Sequence, residues 1–227
     1  ESVYLLRRRI LGLDAHKKRQ VVDNLLGWWT FDDDNDYLAR DSSATGFDAL
    51  KDRFEAAEGV VGKGFRCGEG SLTVQPHDLL FPTQGISVEL WMRAEMPGQS
   101  DRWMVNAVGA ANTGYRLGLV GGKIGWQIPQ QPWSHMLVSP DAVPVGEWVH
   151  VVATHDNRVM QLYVNGRLVG SLDRSGALVP SGNRLCLGAY GVGDTAHAFQ
   201  GVLDEIRLYD RALTAEEAAA HYAAYRR

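Results

Sequence analysis

The sequence predicts an all-β fold of two antiparallel sheets, and three observations lead to this prediction. Short apolar runs alternate with Gly, Asp, Asn and Pro from residue 25 onwards, and no long helical period appears before residue 214. Turn signals recur about every 8–12 residues, which is typical of a sandwich or a barrel. Glycine is abundant, with 25 in 227 residues against a usual share of ~7%, and glycine suits many tight turns.

Strand periodicity is clearest at residues 86–93, where apolar side chains alternate with polar or aromatic ones and so give two different faces. Gly121-Gly122 and Asn165-Gly166 predict hairpin turns, because these pairs accept the positive φ of primed turns. The predicted strands are 27–31, 60–67, 71–75, 86–93, 103–109, 114–120, 123–128, 135–138, 147–155, 159–164, 167–172, 184–188 and 199–209.

Both ends of the chain are predicted to contain helix. Residues 3–26 carry apolar side chains at helical spacing, and we interpret 1–24 as a helical lead-in or linker to a main domain at 25–227. A partner groove or a membrane surface is the alternative role for this basic stretch. Near the other end, Thr214 lies three residues before Glu217, the spacing of a capping box. We therefore expect a short C-terminal helix.

Charge argues against a nucleic-acid partner, and the lengths of the apolar runs argue against a membrane span. The net charge of −4 combines +3 on residues 1–23 with −7 on the rest, and an acidic body does not favour a nucleic-acid phosphate backbone. No apolar run approaches the ~18 residues of a membrane span. The chain begins at Glu1 without a signal segment. We expect a module of a larger exported or cell-surface protein.

The two cysteines do not make a disulfide framework. Cys67 and Cys186 each lie in a strand-like run, which favours buried, unpaired thiols. A single bridge across the sandwich is the alternative.

Eight fragments, taken in order, resemble the laminin-G-like domains of the concanavalin A-like lectin/glucanase superfamily. They include an opening strand Gly-Trp-Trp-Thr-Phe-Asp and a closing strand–turn–helix segment, and the match covers about 25–225. The resemblance implies a two-sheet antiparallel jelly-roll sandwich. The fragments are 27–32, 41–49, 61–66, 86–91, 146–156, 161–166, 185–188 and 201–222.

Catalysis is not expected. Hydrolases of this superfamily resemble one another in carrying Glu-x-Asp-x-x-Glu or Glu-x-Asp-x-Glu on one strand, which sets two carboxylates ~5 Å apart for retaining hydrolysis. No such run occurs here. Asp204 and Glu205 are adjacent and point to opposite faces of a strand. Glu89 has no carboxylate two or four residues later, because Trp91 and Arg93 occupy those positions. No nucleophile or zinc signature is present, and we interpret His150 as a hydrogen-bonded structural imidazole.

The resemblance also implies a structural Ca²⁺ between the first and last strands. The matching ligands are the carboxylates of Asp32 and Asp204, with backbone carbonyls near residues 68–70. A hard cation takes about six to eight oxygens, so such a site would hold two distant strands together. The alternative is that Asp204 caps a turn and accepts backbone amides.

Carbohydrate recognition would use aromatic rings for stacking and Arg or Gln for the hydroxyl groups. We place Trp28, Trp29 and Trp148 in the core and expect Trp91 to be exposed. The alternative for Trp126 and Trp133 is that they cover the sheet edge. The candidate ligand surface is Trp91, Arg93, Arg116, Trp126, Gln127, Trp133 and His135.

The sequence thus predicts a non-catalytic binding module, with carbohydrate as the leading ligand class. The alternative is a protein–protein adhesion or architectural module that docks on another domain of its own parent chain. An exposed aromatic row would favour glycans. An apolar patch of several hundred Å² would favour a protein partner.

Overall fold

A computed structural model describes residues 23–33, 35–129 and 136–225. Within them, two eight-stranded antiparallel sheets and one short C-terminal α-helix form the fold, so the predicted all-β sandwich is confirmed. The predicted N-terminal helical segment lies outside the described residues, and the domain boundary after residue 24 stays a prediction. No helix among the described residues is long and apolar enough to cross a membrane.

The strands are short, as the turn spacing predicts. In chain order they are β1 (Leu25–Trp29), β2 (Leu38–Ala39), β3 (Ala49–Asp52), β4 (Glu55–Glu58), β5 (Lys63–Arg66), β6 (Ser71–Val74), β7 (Ile86–Ala94), β8 (Arg102–Asn106), β9 (Arg116–Val120), β10 (Lys123–Gln127), β11 (Met136–Ala142), β12 (Trp148–His155), β13 (Val159–Val164), β14 (Arg167–Asp173), β15 (Leu185–Leu187) and β16 (Gly201–Tyr209).

Long crossovers connect strands that are neighbours in space but distant in sequence. Sheet A has the order β14-β13-β12-β7-β16-β5-β4, and β1 pairs with β16. Sheet B has the order β11-β10-β9-β8-β15-β6-β3-β2. The predicted hairpin turns are confirmed, because Gly121, Gly122, Asn165 and Gly166 all have positive φ.

Three strands were not predicted from the sequence. Strands β2, β3 and β4 lie between residues 38 and 58, where charged residues interrupt the apolar pattern. Each is only two to four residues long, and each is held by pairing with a neighbouring strand rather than by its own periodicity. Tertiary pairing therefore supplies the signal that local sequence lacks.

The core fills the space between the sheets. Its apolar side chains include those of Ile86, Val88, Leu90 and Met92, so the predicted two faces of β7 are confirmed. Burial of one such side chain contributes about 1.5–3 kcal/mol. Trp29 is fully buried as predicted.

Two other tryptophans were wrongly placed in the core. Trp28 is half-buried, because alternation turns it to the face opposite Trp29. Trp148 is also half-buried and lies beneath the guanidinium of Arg93. Both rings therefore line the outer face of sheet A.

Both cysteines are free and buried, so the preferred interpretation of unpaired thiols is confirmed. Burial raises the pKa of the Cys67 and Cys186 thiols. Cys67 is a core residue.

The C-terminal helix α1 (Ala215–Ala224) begins with the predicted capping box. The Thr214 hydroxyl accepts a hydrogen bond from the Glu217 N–H at 3.2 Å, and the Glu217 carboxylate accepts one from the Thr214 N–H at 2.8 Å. Arg211 binds the same carboxylate through two nitrogens. Hydrogen bonding to Arg211 lowers the pKa of Glu217 to about 2.

The close approach of β16 to β7 requires glycine at position 201. A Cβ added to Gly201 would lie 2.2 Å from the carbonyl oxygen of Arg93. We expect Gly201→Ala to lower the free energy of unfolding by about 1–3 kcal/mol, the usual cost of overpacking. Urea denaturation measures this. Gly191→Ala is the control, because its Cβ would meet no atom within 4 Å; equal stability of the two variants would contradict the prediction.

Candidate functional site

Three polar side chains form a row across the outer face of sheet B. Asn106 in β8 pairs with Arg116 in β9, and Arg116 pairs with Gln127 in β10. Residues that are directly opposite on neighbouring strands project from the same face. Their chain neighbours Leu117 and Trp126 belong to the core, so the row faces outward. We call Asn106, Arg116 and Gln127 the polar row.

Two glycines leave space beside the polar row. A Cβ on Gly118 would lie 2.7 Å from the Trp103 ring, and a Cβ on Gly125 would lie 2.9 Å from the Met136 sulfur. The Trp103 indole therefore lies close over the backbone of β9. The Arg116 guanidinium stacks on this indole, 4.1 Å from the ring centroid, a cation–π contact of about 0.5–2 kcal/mol.

Few protein groups satisfy the hydrogen-bonding capacity of the polar row. The Arg116 Nε donates to Gln127 Oε1 at 2.5 Å, and among the described residues this is the only side-chain hydrogen bond of either residue. Asn106 Nδ2 donates to the Tyr190 carbonyl at 2.7 Å, but the buried Asn106 Oδ1 has no partner. Buried polar groups are normally paired, so unpaired groups here indicate a place for a ligand or water.

A loop after β15 forms one rim of the polar row. Its Tyr190 is 42% exposed, and the ring lies 6.0 Å from that of His197. The loop is held to sheet B because the Trp103 N–H donates to the His197 carbonyl at 3.0 Å. Tyr190 is thus an exposed ring on a fixed segment.

Two of the predicted ligand-binding residues, Arg116 and Gln127, are brought together in the polar row. Trp126 is not exposed: it is fully buried, and its Nε1 donates to the Thr154 carbonyl at 3.0 Å. The reason is alternation, since Trp126 and Gln127 are consecutive residues of one strand. Trp133 and His135 lie outside the described residues, and their roles stay predictions.

Trp91 and Arg93 lie on the other sheet, so the predicted surface is divided between two faces of the molecule. The prediction that Trp91 is exposed is wrong, because helix α1 covers it and leaves 3% exposed. Its ring lies 5.7 Å from Tyr222 and 5.5 Å from Tyr225. The sequence signal for this cover was the pair of tyrosines three residues apart in an otherwise alanine-rich helix.

Beneath helix α1 a buried carboxylate collects four partners. Glu89 is fully buried and accepts hydrogen bonds from His150, His221 and the Tyr209 hydroxyl at 3.0 Å, with Arg207 at 3.3 Å. Burial by itself raises the pKa of Glu89, but hydrogen bonds from the two histidines and the charge of Arg207 outweigh it and leave the pKa well below its usual range. The prediction of a structural, hydrogen-bonded His150 is confirmed.

A second carboxylate joins the end of the helix to the sheet. Glu205 accepts hydrogen bonds from Arg207 at 2.5 Å, from the Tyr225 hydroxyl at 2.7 Å and from Trp28 Nε1 at 2.7 Å. Both carboxylates are therefore saturated with donors and covered by protein. This cluster stabilises the helix on sheet A.

The two carboxylates predicted to bind calcium, Asp32 and Asp204, accept hydrogen bonds from one turn at residues 60–63. Asp204 Oδ2 accepts from the N–H groups of Val60 and Val61 at 2.9 and 3.2 Å, and Oδ1 accepts from the Glu205 N–H at 2.7 Å. Asp32 Oδ1 accepts from the Lys63 N–H at 2.7 Å. The alternative prediction, that Asp204 accepts backbone amides, is confirmed.

A calcium cage does not follow from these residues. Within the described part of the chain, no three His, Cys, Asp or Glu side chains group around a possible metal position, whereas Ca²⁺ takes about six to eight oxygens. Asp32 and Asp204 would therefore need further oxygens, such as backbone carbonyls, to hold the ion. Calcium binding stays a prediction from the resemblance.

A second candidate cleft lies near the β2 edge of sheet B. This cleft of about 530 Å³ lies between the loop after β1 and the segment that leads from β3 to β4. Its polar groups are largely bound to one another: Lys51 Nζ donates to the Asn35 carbonyl at 2.7 Å, and the Asp33 carboxylate accepts from the Asn35 and Arg40 N–H groups. The polar row, with its unpaired groups, is the better candidate site.

Removal of the Glu89 charge tests the cluster under the helix. We expect Glu89→Gln to lower the free energy of unfolding by about 3–5 kcal/mol, because it removes one of the two carboxylates paired with Arg207 and weakens the hydrogen bonds of both histidines. Chemical denaturation at neutral pH measures this. Glu147→Gln, at an exposed position, is the control; a loss below 1 kcal/mol for Glu89→Gln would show that the cluster is not needed.

Ionisation of Asp204 should make the domain less stable as the pH rises. Burial raises the pKa of Asp204 to about 7, against an unfolded value near 3.9. The folded state therefore holds the proton more tightly, and this stabilisation is lost between about pH 4 and pH 7. We expect Asp204→Asn to flatten the pH dependence of the melting temperature in this window, and Asp36→Asn, at an exposed position, to leave it unchanged.

The same melting experiment tests calcium. Because the carboxylates of Asp32 and Asp204 accept hydrogen bonds from backbone amides, we expect equal melting temperatures with calcium and with a chelator. A melting temperature that rises with calcium and loses this response in Asp204→Asn would support the metal site that the resemblance implies.

Comparisons with known proteins agree with this architecture. The family model described as "Concanavalin A-like lectin/glucanases superfamily" matches residues 68–219. No curated protein sequence matches the chain.

Three solved structures illustrate the structural similarity. The binding domain of Paraclostridial Mosquitocidal Protein 1 is 18% identical, with a TM-score of 0.74; the match covers 89% of this chain and 52% of that chain. Domain 4 of AbnA, a GH43 extracellular arabinanase from Geobacillus stearothermophilus, in complex with arabinotriose, is 20% identical, with a TM-score of 0.70; the match covers 87% of this chain and 97% of that one.

The third structure comes from botulinum neurotoxin type C, whose cell entry is described as dependent upon interaction with two ganglioside molecules. It is 12% identical, with a TM-score of 0.71, and the match covers 90% of this chain and 52% of that chain. This chain thus spans about half the length of both toxin structures. The family match and the sandwich of two antiparallel sheets together show that the chain belongs to the concanavalin A-like lectin/glucanase superfamily, as a laminin-G-like domain.

Proposed function

We propose that this domain is a non-catalytic carbohydrate-binding module and that its site is the outer face of sheet B at the polar row. The observation that carries the proposal is the set of hydrogen-bonding groups on Arg116, Gln127 and Asn106 that have no partner among the described residues, beside the exposed Tyr190. Sugar hydroxyls both donate and accept hydrogen bonds, and sugar faces pack on aromatic rings. The site offers both kinds of contact.

The geometry of this site supports binding without hydrolysis. The polar row contains no carboxylate, whereas glycoside hydrolysis uses a pair of them. The buried acids of the described residues, Glu89, Asp204 and Glu205, are bound to protein donors. Binding without cleavage is therefore the function that we propose.

The structural neighbours support a binding module. The domain of the Geobacillus stearothermophilus arabinanase is described in complex with arabinotriose, and it is matched over nearly its whole length. The mosquitocidal protein structure is described as a binding domain, and the botulinum neurotoxin structure is described by its interaction with two ganglioside molecules. These ligands belong to the neighbours; for this chain they support the class of ligand and leave the sugar to be identified.

The alternative of a protein–protein module receives less support. The exposed large apolar side chains of the described residues come from loops and edge strands of both sheets, and the polar row consists of polar groups. Singly exposed apolar residues are normal on any protein surface. They are Tyr37, Val61, Met96, Val138, Val145, Leu168, Val179, Tyr190 and Val192.

A glycan array followed by titration calorimetry on the 227-residue chain tests the proposal. We expect at least one oligosaccharide to bind, and Tyr190→Ala to weaken its binding by about 1 kcal/mol, roughly fivefold, through loss of the stacking ring. Tyr37→Ala is the matched control, because Tyr37 is also exposed but lies at the opposite edge of sheet B.

Two results would count against the proposal. A folded chain that binds no oligosaccharide on the array would leave the protein–protein alternative as the function. Equal weakening by Tyr37→Ala and Tyr190→Ala would place the site away from the polar row.

A further inference from the structure

Arg116 is a half-buried cation on which Asp101 acts electrostatically without forming an ion pair. No Asp or Glu of the described residues forms an ion pair with it, and its charged head instead stacks on Trp103. Arg207 pairs with Glu89 and Glu205, and Arg211 pairs with Glu217. Arg93 and Arg174, like Arg116, form no ion pair among the described residues. An unpaired cation at a half-buried position costs free energy. An anion that binds beside Arg116 would therefore stabilise its charge.

The donors at this site also outnumber the acceptors. Gln127 Oε1 is occupied by the Arg116 Nε, which leaves Gln127 Nε2 and the two terminal nitrogens of Arg116 without protein acceptors among the described residues. These three nitrogens are on side chains directly opposite one another on β9 and β10. A ligand that fits them must supply several acceptor oxygens.

The guanidinium is held in place before any ligand arrives. The stacking on Trp103 and the bond from Nε to Gln127 restrict its plane and its rotation. A fixed planar fork matches the two oxygens of a carboxylate, and such bidentate pairs are about twice as strong as neutral hydrogen bonds. Preorganisation also lowers the entropic cost of binding.

We propose, on the basis of the carbohydrate-binding function above, that the polar row selects an acidic saccharide whose carboxylate pairs with Arg116. The two carboxylate oxygens accept from the terminal nitrogens of Arg116, and Gln127 Nε2 donates to an adjacent oxygen of the sugar. Tyr190 at the rim packs against the ring. The ligand class is therefore sugars that carry a carboxylate, such as uronic acids.

Pairs of saccharides that differ only in this charge test the inference. The 227-residue chain is titrated with tri-galacturonic acid, a glucuronate-containing disaccharide and sialyllactose, each compared with its methyl ester, and with neutral arabinotriose. We expect at least one acid to bind tenfold or more tightly than its ester. This preference should shrink as salt is added, since the pair is electrostatic.

Substitutions then assign the preference to Arg116. Arg116→Gln should remove the preference for acid over ester, and Arg116→Lys should restore only part of it, because lysine lacks the planar fork. Arg167→Gln is the control: Arg167 is an exposed arginine with no ion pair among the described residues, and it lies in β14 at the edge of sheet A. It should keep the full preference. Circular dichroism confirms that each variant is folded.

The outcomes separate this inference from the proposed function. Equal binding of every acid and its ester, while neutral glycans bind, would overturn the acidic-sugar inference and leave the carbohydrate module intact. Persistence of the acid preference in folded Arg116→Gln would overturn it as well, as would a sulfated trisaccharide that binds more tightly than every carboxylate. Failure of all saccharides to bind would end both proposals.

Discussion

The structure depends on the alternation of side chains along paired strands. In β7, the even-numbered residues from Ile86 to Met92 enter the core, and Glu89, Trp91 and Arg93 therefore leave it on the outer face of sheet A. In β9 and β10 the same rule sends Leu117 and Trp126 inward and Arg116 and Gln127 outward. A register shift by one residue would exchange core and site at once.

The two outer faces that this alternation creates differ in how far their charged side chains are paired. On sheet A, helix α1 covers the face, and the carboxylates of Glu89 and Glu205 are matched with Arg207, histidine and tyrosine donors. Unpaired groups under a helix would each cost about 1–3 kcal/mol. On sheet B, Arg116 and Gln127 remain partly unpaired among the described residues. Trp91 Nε1 and His150 Nδ1 also lack partners beneath the helix. Recognition is therefore proposed for the face of sheet B, which the helix does not cover.

Glycine contributes to both faces through close approach. Gly118 and Gly125 allow Trp103 and Met136 to lie against the strands of sheet B, and this places the indole under Arg116. Gly201 brings β16 against the backbone of β7 in sheet A. In each case a missing side chain, rather than a flexible backbone, is the structural requirement. The laminin-G-like sandwich thus uses glycine to position larger side chains.

Local sequence determined much of the fold and little of the site. Periodicity at 86–93, the Gly-Gly and Asn-Gly turns and the Thr214–Glu217 capping box are interactions between residues close in sequence, and all were found as predicted. Strands β2 to β4 were missed, because they depend on partners rather than on their own pattern. Arg116 and Gln127 were predicted as site residues, but their position beside Asn106 was decided by cross-strand register. The same register buries Trp126, and the docking of helix α1 buries Trp91. Those contacts join residues from 10 to more than 100 positions apart, and no local pattern of residues encodes which distant faces will meet.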